Sequence, residues 1–338
     1  MDVSRIEVIE FLRDIYPFRK LDESLIEFAA GNFEPRQYQA GDVIFRQDEP
    51  ARFLYILMDG AVNLSRKLRE GKSEIISSLS LGNIFGYEMI SEDEVRLTTA
   101  TAISSVIVLR IDQDRLIQLV DRFPEMVEAL QLLYESYQLR LKVRLDWLGS
   151  DEAVYLIARR HPMFLAIRLV PIALFTLVTF APLLLFFLTL SDGLVFLLIL
   201  LILDILVIAG WFIWAVSDWA NDYSILTNRR VVFLEKVVML YDSRQESPLT
   251  SIMSVSTDTH QIGRMLSYGD VVVHTYAGKI ILPYLKSYPE VAKIVEAEWN
   301  LSRLRMSKTE RVDMERTLRM RLGIEAASGK PDEVPQKQ

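Results

Sequence analysis

Two apolar runs set the strongest limit on how this chain folds. The first extends from Leu169 to Leu190 with no charged residue, the second from Leu194 to Val216 with one, Asp204. At about 1.5 Å of rise per residue, either run as a helix crosses a hydrocarbon core about 30 Å thick. Only Ser191-Asp192-Gly193 separates them, a turn triplet that joins antiparallel neighbours. The expectation is a transmembrane helical hairpin over residues 169–216, with both ends on one side. Arg159, Arg160 and Arg168 precede it, Arg229, Arg230 and Lys236 follow it, and the turn carries no Lys or Arg. The positive-inside rule then puts both flanking regions and both termini in the cytoplasm, in a multi-pass protein of the cytoplasmic (inner) membrane. Trp211, Trp214 and Trp219 at the exit of the second run suit an interfacial aromatic belt.

Asp204 falls near the middle of its span, where an ionisable group is costly. Two readings stand: a place on a proton or ion path, or a carboxyl hydrogen-bonded to the partner helix or to another subunit. Thr176 and Thr179 are candidate partners, and Pro171 and Pro182 are expected to kink the first span.

The remaining composition bounds the flanking regions. The chain has 338 residues, 51% hydrophobic and 25% charged, and a mean hydropathy of +0.20. Apolar residues are therefore unevenly spread, as in soluble domains around a membrane segment. A net charge of −7 argues against a nucleic-acid partner. The absence of cysteine excludes disulfides, Cys-zinc sites, Fe–S clusters and a Cys nucleophile. Gly71-Lys72-Ser73 resembles the end of a phosphate loop, but position 66 is Arg where the loop needs Gly. No G-x-G-x-x-G, G-x-S-x-G or H-E-x-x-H is present, and His161, His260 and His274 lack metal-ligand spacing. Neither an enzyme nor a cofactor or metal is expected.

In the N-terminal region, helical segments at 6–15 and 23–30 precede β-rich runs at 53–58, 61–64, 74–79, 98–102 and 106–111. Short strands broken by Gly and polar residues suggest a barrel or jelly roll. Asp112 is a good N-cap for a helix to about Asp121, and Pro124 suits the N1 position of a longer one reaching Asp146. The stretch Ala40-Gly41-Asp42-Val43-Ile44-Phe45-Arg46-Gln47-Asp48-Glu49-Pro50, followed by Phe53–Met58 and Gly60, resembles the start of the cyclic nucleotide-binding domain family. That resemblance implies an eight-stranded jelly roll with flanking helices over 1–148 and a candidate ligand, cAMP or cGMP.

It also implies a phosphate-binding cassette, in which backbone N–H groups and an Arg hold the cyclic phosphate and a Glu holds the ribose. Here the cassette reads Phe85-Gly86-Tyr87-Glu88-Met89-Ile90, then Arg96-Leu97-Thr98-Thr99. Gly86 and Arg96 keep the family spacing, and Thr99 matches the closing Thr. Tyr87 stands at the Glu position and Glu88 follows one residue late. The acidic run Glu92-Asp93-Glu94 is positioned to neutralise Arg96. The candidate ligand residues are Gly86, Tyr87, Glu88, Arg96, Thr98 and Thr99, in a pocket that either binds nucleotide or serves as an interaction module. In the family the helix after Pro124 acts as a lid, and it carries Tyr134 and Tyr137.

Beyond the hairpin, Tyr223-Ser224-Ile225-Leu226-Thr227-Asn228-Arg229-Arg230-Val231 reads as strand, turn, strand. Further β-rich runs stand at 237–241, 252–257, 271–276 and 279–282, and a helix opens at Ser287 or Tyr288. This pattern over 219–302 resembles the bacterial PH-like domains, without a dense basic patch for phosphoinositides. The sequence thus divides into a cyclic nucleotide-binding-like domain (1–148), a linker (149–168), the hairpin (169–216), a PH-like β-domain with a C-terminal helix (219–302), a basic helical tail (303–326) and a disordered end (327–338). The expected function is a cyclic-nucleotide-responsive membrane sensor or scaffold, forming a homo-oligomer, with the lipid bilayer as partner. The rival is an oligomeric cyclic-nucleotide-gated channel or transport component with Asp204 near the pore.

Overall fold

The computed structural model describes residues 3–68, 73–90, 95–143, 145, 147–149, 152–189, 194–237 and 241–321. The expected turn Ser191–Gly193, the acidic run 92–94, Gly71-Lys72 and the end 327–338 lie outside the described residues.

The N-terminal domain comprises α1 (Arg5–Asp14), α2 (Glu23–Asn32), β1 (Glu34–Tyr38), β2 (Val43–Phe45), β3 (Phe53–Asp59), β4 (Val62–Lys67), β5 (Ser73–Leu79), β6 (Ile84–Phe85), β7 (Thr99–Ala102), β8 (Val106–Asp112), α3 (Gln113–Arg122) and α4 (Glu125–Arg140). Its strands form two sheets, ordered β1-β8-β3-β6 and β2-β7-β4-β5. The apolar run in β3 buries Leu54, Tyr55, Ile56 and Leu57, and β8 buries Val106, Val108, Leu109 and Ile111. Asp112 caps α3 by accepting from the Arg115 amide at 2.9 Å. Pro124 is the N-cap of α4 rather than its first helical residue, and α4 ends at Arg140, short of Asp146. Arg140 Nη1 donates to the Val143 carbonyl at 3.0 Å and so folds the chain back on the helix end.

The C-terminal part comprises β9 (Val154–Arg159), α5 (Pro162–Thr189), α6 (Leu194–Ala220), β10 (Tyr223–Thr227), β11 (Arg230–Val237), β12 (Tyr241–Pro248), β13 (Ile252–Asp258), α7 (Gln261–Met265), β14 (Tyr268–Thr275), β15 (Gly278–Lys286) and α8 (Tyr288–Arg321). The sheets are β12-β11-β10-β9 and β13-β14-β15, with α8 packed across them. One boundary needs correcting. The expected linker 149–168 contains β9, which pairs antiparallel with β10 in the register Tyr223↔Arg159 and Ile225↔Ile157. The sheet therefore begins before the hairpin, and the hairpin is an insertion between two neighbouring strands. The expected basic tail is also not separate, because α8 runs unbroken to Arg321. Of the β-rich run expected at 237–241, Val237 ends β11 and Tyr241 begins β12, and residues 238–240 lie outside the described residues.

Helices α5 and α6 are long and apolar enough to cross a membrane, and only 6% of the most apolar window of each is buried. A core helix of a soluble fold would hide that surface; here Leu177, Val178, Val195 and Phe196 are all exposed. Between the helices, Thr179 Oγ1 donates to Asp204 Oδ2 at 3.2 Å and also contacts the Phe175 carbonyl at 2.9 Å. Thr176 Oγ1 donates to the Ile172 carbonyl at 2.8 Å.

The two domains share one hydrophobic core. It continues from α1 and the jelly roll through α4 to β9, α8 and the second sheet.

Candidate nucleotide site

The cassette closes around Arg96. Its side chain is 1% exposed. Nη1 donates to the Gly86 carbonyl at 3.0 Å and to Glu88 Oε2 at 3.1 Å, and Nη2 donates to the Phe53 carbonyl at 2.6 Å. The guanidinium also lies 4.1 Å over the Phe45 ring. Gly86 has φ +83°, and a Cβ there would meet Arg96 Nη1 at 2.7 Å, so only glycine lets the arginine tuck beneath the turn.

Glu88 is the hub of the cluster. Besides Arg96, it accepts from the Leu97 amide at 3.1 Å and from the Tyr137 hydroxyl at 2.7 Å. Tyr137 comes from α4, and its oxygen also lies 3.1 Å from Thr98 Oγ1. Burial first, and the Glu88 charge second, push the Tyr137 phenol well above its ordinary pKa, so it stays a donor. Arg96 is thus neutralised from within by Glu88, whereas the acidic run 92–94 lies outside the described residues. Gly86, Glu88, Arg96 and Thr98 converge as the sequence suggests. Thr99 does not join them: its Oγ1 accepts from the Gln47 amide at 3.0 Å. Tyr87 is buried and packs its ring 5.9 Å from that of Tyr137.

Beside the cluster lies a cavity of about 70 Å³ between the roll and α4, lined among others by Leu64, Ser77, Tyr87, Tyr137 and Arg140. Pockets for drug-sized ligands run to roughly 300–1,000 Å³, so this one is shut. Helix α8 contributes Ile294 and Leu301 to its wall, and β9 contributes Tyr155, whose hydroxyl donates to the Leu81 carbonyl at 2.9 Å. Ser77 Oγ and Arg140 Nε are buried there without partners among the described residues, as is Arg96 Nε in the neighbouring cluster. Burial holds the Arg140 pKa below its ordinary value.

Sequence reasoning placed Tyr137 on the lid but as a stacking ring, not as the Glu88 donor. It missed Ser77, Ser136 and Arg140, since isolated Ser and Arg residues in a strand or helix carry no local signal.

The site thus consists of a jelly roll with a glycine turn, a buried arginine and a helix packed against both. Residues 35–123 match the family model described as the cyclic nucleotide-binding domain, and residues 169–298 match the bacterial PH domain. The chain carries the first at its N-terminal end and the second in its C-terminal part. It is 26% identical over 113 residues to the CRP-like cAMP-activated global transcriptional regulator of Mycobacterium tuberculosis, covering 33% of this chain and 50% of that protein. It is 27% identical over 131 residues to the cAMP-dependent protein kinase regulatory subunit of Dictyostelium discoideum, covering 38% of this chain and 40% of that protein. The match thus spans half or less of these relatives. Among solved structures, the Thermus thermophilus catabolite activator protein aligns with a TM-score of 0.35 at 23% identity, over 48% of this chain and 70% of that one.

Proposed function

We propose that this chain is a membrane-anchored cyclic-nucleotide sensor in which α4 passes the state of the cassette to the hairpin. One observation carries the reading: two neighbouring residues of α4 bond to different parts of the molecule. Tyr137 bonds Glu88 in the cassette, while Ser136 Oγ accepts from the Ile157 amide of β9 at 2.7 Å. Strand β9 runs through Arg160 and His161 directly into α5. A cyclic phosphate needs the Arg96 charge, so it must compete with Glu88, and a nucleotide needs more room than the closed cavity offers. Binding therefore requires α4 to shift, and a shift of α4 pulls on β9. In this reading the relay stands at the inner face of a bilayer, which the length and exposed apolar surface of α5 and α6 support, and the Thr179–Asp204 bond supports a helix-pairing role for Asp204.

The test is calorimetric titration of the full chain in detergent with cAMP and cGMP. Weak binding is expected. Arg96→Gln should abolish it, and Tyr137→Phe, which loosens the closed state, should tighten it. The internal Arg96–Glu88 pair favours a second reading, a permanently closed domain that serves as a scaffold. Absence of heat from either nucleotide at millimolar concentration, in wild type and in Tyr137→Phe, would select that reading.

A further inference from the structure

A second cavity, of about 380 Å³, lies where α4, β9, β15 and the ends of the two apolar helices meet. This volume falls within the range of ligand pockets. Lys142, Arg159, Arg160 and Lys286 line it, against one carboxylate, Glu135. Two of the four cations are already matched. Arg160 Nη1 lies 2.6 Å from Asp222, and Lys286 Nζ lies 2.9 Å from Glu135. Lys142 and Arg159 have no carboxylate partner among the described residues. Arg159 Nη2 donates to the Tyr223 hydroxyl at 3.0 Å, but its Nε is buried without a partner among the described residues. The cavity therefore holds uncompensated positive charge and an unused planar donor.

Its position says what fills it. His161 and Pro162, where α5 begins, form part of the wall, and so does Trp219 near the end of α6. Trp219 Nε1 donates to the Arg160 carbonyl at 2.9 Å, which fixes the indole at the cavity edge. His161 Nδ1 accepts from the Met163 amide at 3.1 Å, so the neutral ring keeps its proton on Nε2 as a further donor. A fork of arginine N–H groups, a lysine and an interfacial Trp form the chemistry of a phosphate ester at a membrane surface.

We infer that this cavity binds the phosphate headgroup of an anionic phospholipid, which bridges α4 through Lys142 and β9 through Arg159. The inference rests on the reading of α5 and α6 as membrane spans, and not on nucleotide binding. The headgroup would hold the relay helix against the sheet, so the lipid becomes part of the coupling between cassette and hairpin.

The test uses the full chain in nanodiscs of phosphatidylcholine alone or with phosphatidylglycerol, read by native mass spectrometry for retained lipid and by thermal unfolding. A third arm adds inorganic phosphate to the phosphatidylcholine discs. Phosphatidylglycerol should be retained selectively and should raise the unfolding midpoint by several degrees. Lys142→Glu, at an exposed position, should lower that retention by about tenfold or more, the worth of a charged hydrogen bond. The pair Lys142→Gln with Arg159→Gln should abolish it, and the midpoint of this variant should be the same in both lipids, whatever the loss of the Arg159–Tyr223 bond lowers it by in each. Stabilisation by inorganic phosphate in wild type, lost in the variants, assigns the site to free phosphate as well as lipid. Equal retention of both lipids, or retention unchanged in both variants, overturns the proposal. A chain that does not enter discs refutes the spans and the lipid source together, whereas failed nucleotide titration leaves this site standing.

Discussion

The Arg96–Glu88 pair is buried on both sides, at 1% and 3% exposure of the two side chains. Removing one partner of such a pair leaves an uncompensated charge and typically costs about 3–5 kcal/mol. Arg96→Met and Glu88→Leu should each destabilise the jelly roll by about that much in urea unfolding. The double variant should cost clearly less than the sum, because no lone charge remains. Additive losses would show that the two groups do not act as a unit. Gly86 and Arg96 were legible in the sequence because their spacing is local. The role of Glu88 was not, since it sits one residue past the expected position and is fixed by Tyr137 from a distant helix. A second buried carboxylate sets a pH limit. Burial alone would raise the pKa of Glu152; hydrogen bonds from Arg230, Thr227 and the Gly149 amide outweigh it and hold the group below its usual range. The folded state therefore binds this proton less readily than the unfolded one. Its stabilisation is complete above the unfolded value of about 4.3 and is lost as pH falls through the lower folded value. Thermal unfolding of wild type and Glu152→Gln between pH 3 and 6 (roughly one to two units either side of that value) should show a shallower acid limb in the variant; identical slopes would rule out this residue as its source.

Among the elements, α4 has the most to explain, because it serves two domains. Ser136→Ala removes the acceptor for the Ile157 amide and should cost about 1–2 kcal/mol, the penalty for a buried donor left unpaired. Hydrogen exchange should show the Ile157 amide losing protection in Ser136→Ala, while the amides of β3 stay slow. Equal loosening of β3 would mean a general destabilisation instead. The strands that cross the core, such as β3 and β8, were visible as apolar runs. The edges were not. Strand β1 reads Glu-Pro-Arg-Gln-Tyr, and β12 reads Tyr-Asp-Ser-Arg-Gln-Glu-Ser-Pro. Each pairs along one side only, so neither needs a buried apolar face and neither carries a periodic signal. Strand β9 is apolar enough, with Leu156 and Ile157 buried. It was read as linker because its partner lies on the far side of two spans, beyond any local pattern.

For the whole molecule, the pairing of β9 with β10 ties both ends of the hairpin to one sheet. Reporter fusions at Met1 and Gln338 should both report the cytoplasm, and a periplasmic signal from either would break the hairpin reading. Within the hairpin, Asp204→Asn can still accept from Thr179 and should be tolerated. Asp204→Leu should lower thermal stability by about 1 kcal/mol, as interhelical hydrogen bonds in membranes do. An unchanged midpoint in Asp204→Leu would remove the pairing role. That two long apolar helices stand between two β-rich regions was readable from hydropathy alone. The fused core, with α8 closing the cavity beside the cassette, was not, because packing between distant segments leaves no trace in either one.

The insertion between β9 and β10 also governs how the protein is made. On the reading of α5 and α6 as membrane spans, strand β9 leaves the ribosome before either span and β10 only after both. Until then Leu156 and Ile157 have no sheet to join. A chain that inserted only one span would leave β9 and β10 on opposite faces of the bilayer, and the sheet would stay one strand short. An unpaired edge and uncovered apolar side chains then mark the molecule for proteolysis. With α5 and α6 as membrane spans, closure of the sheet thus requires that both have crossed, so the fold of the domain reports on its own insertion.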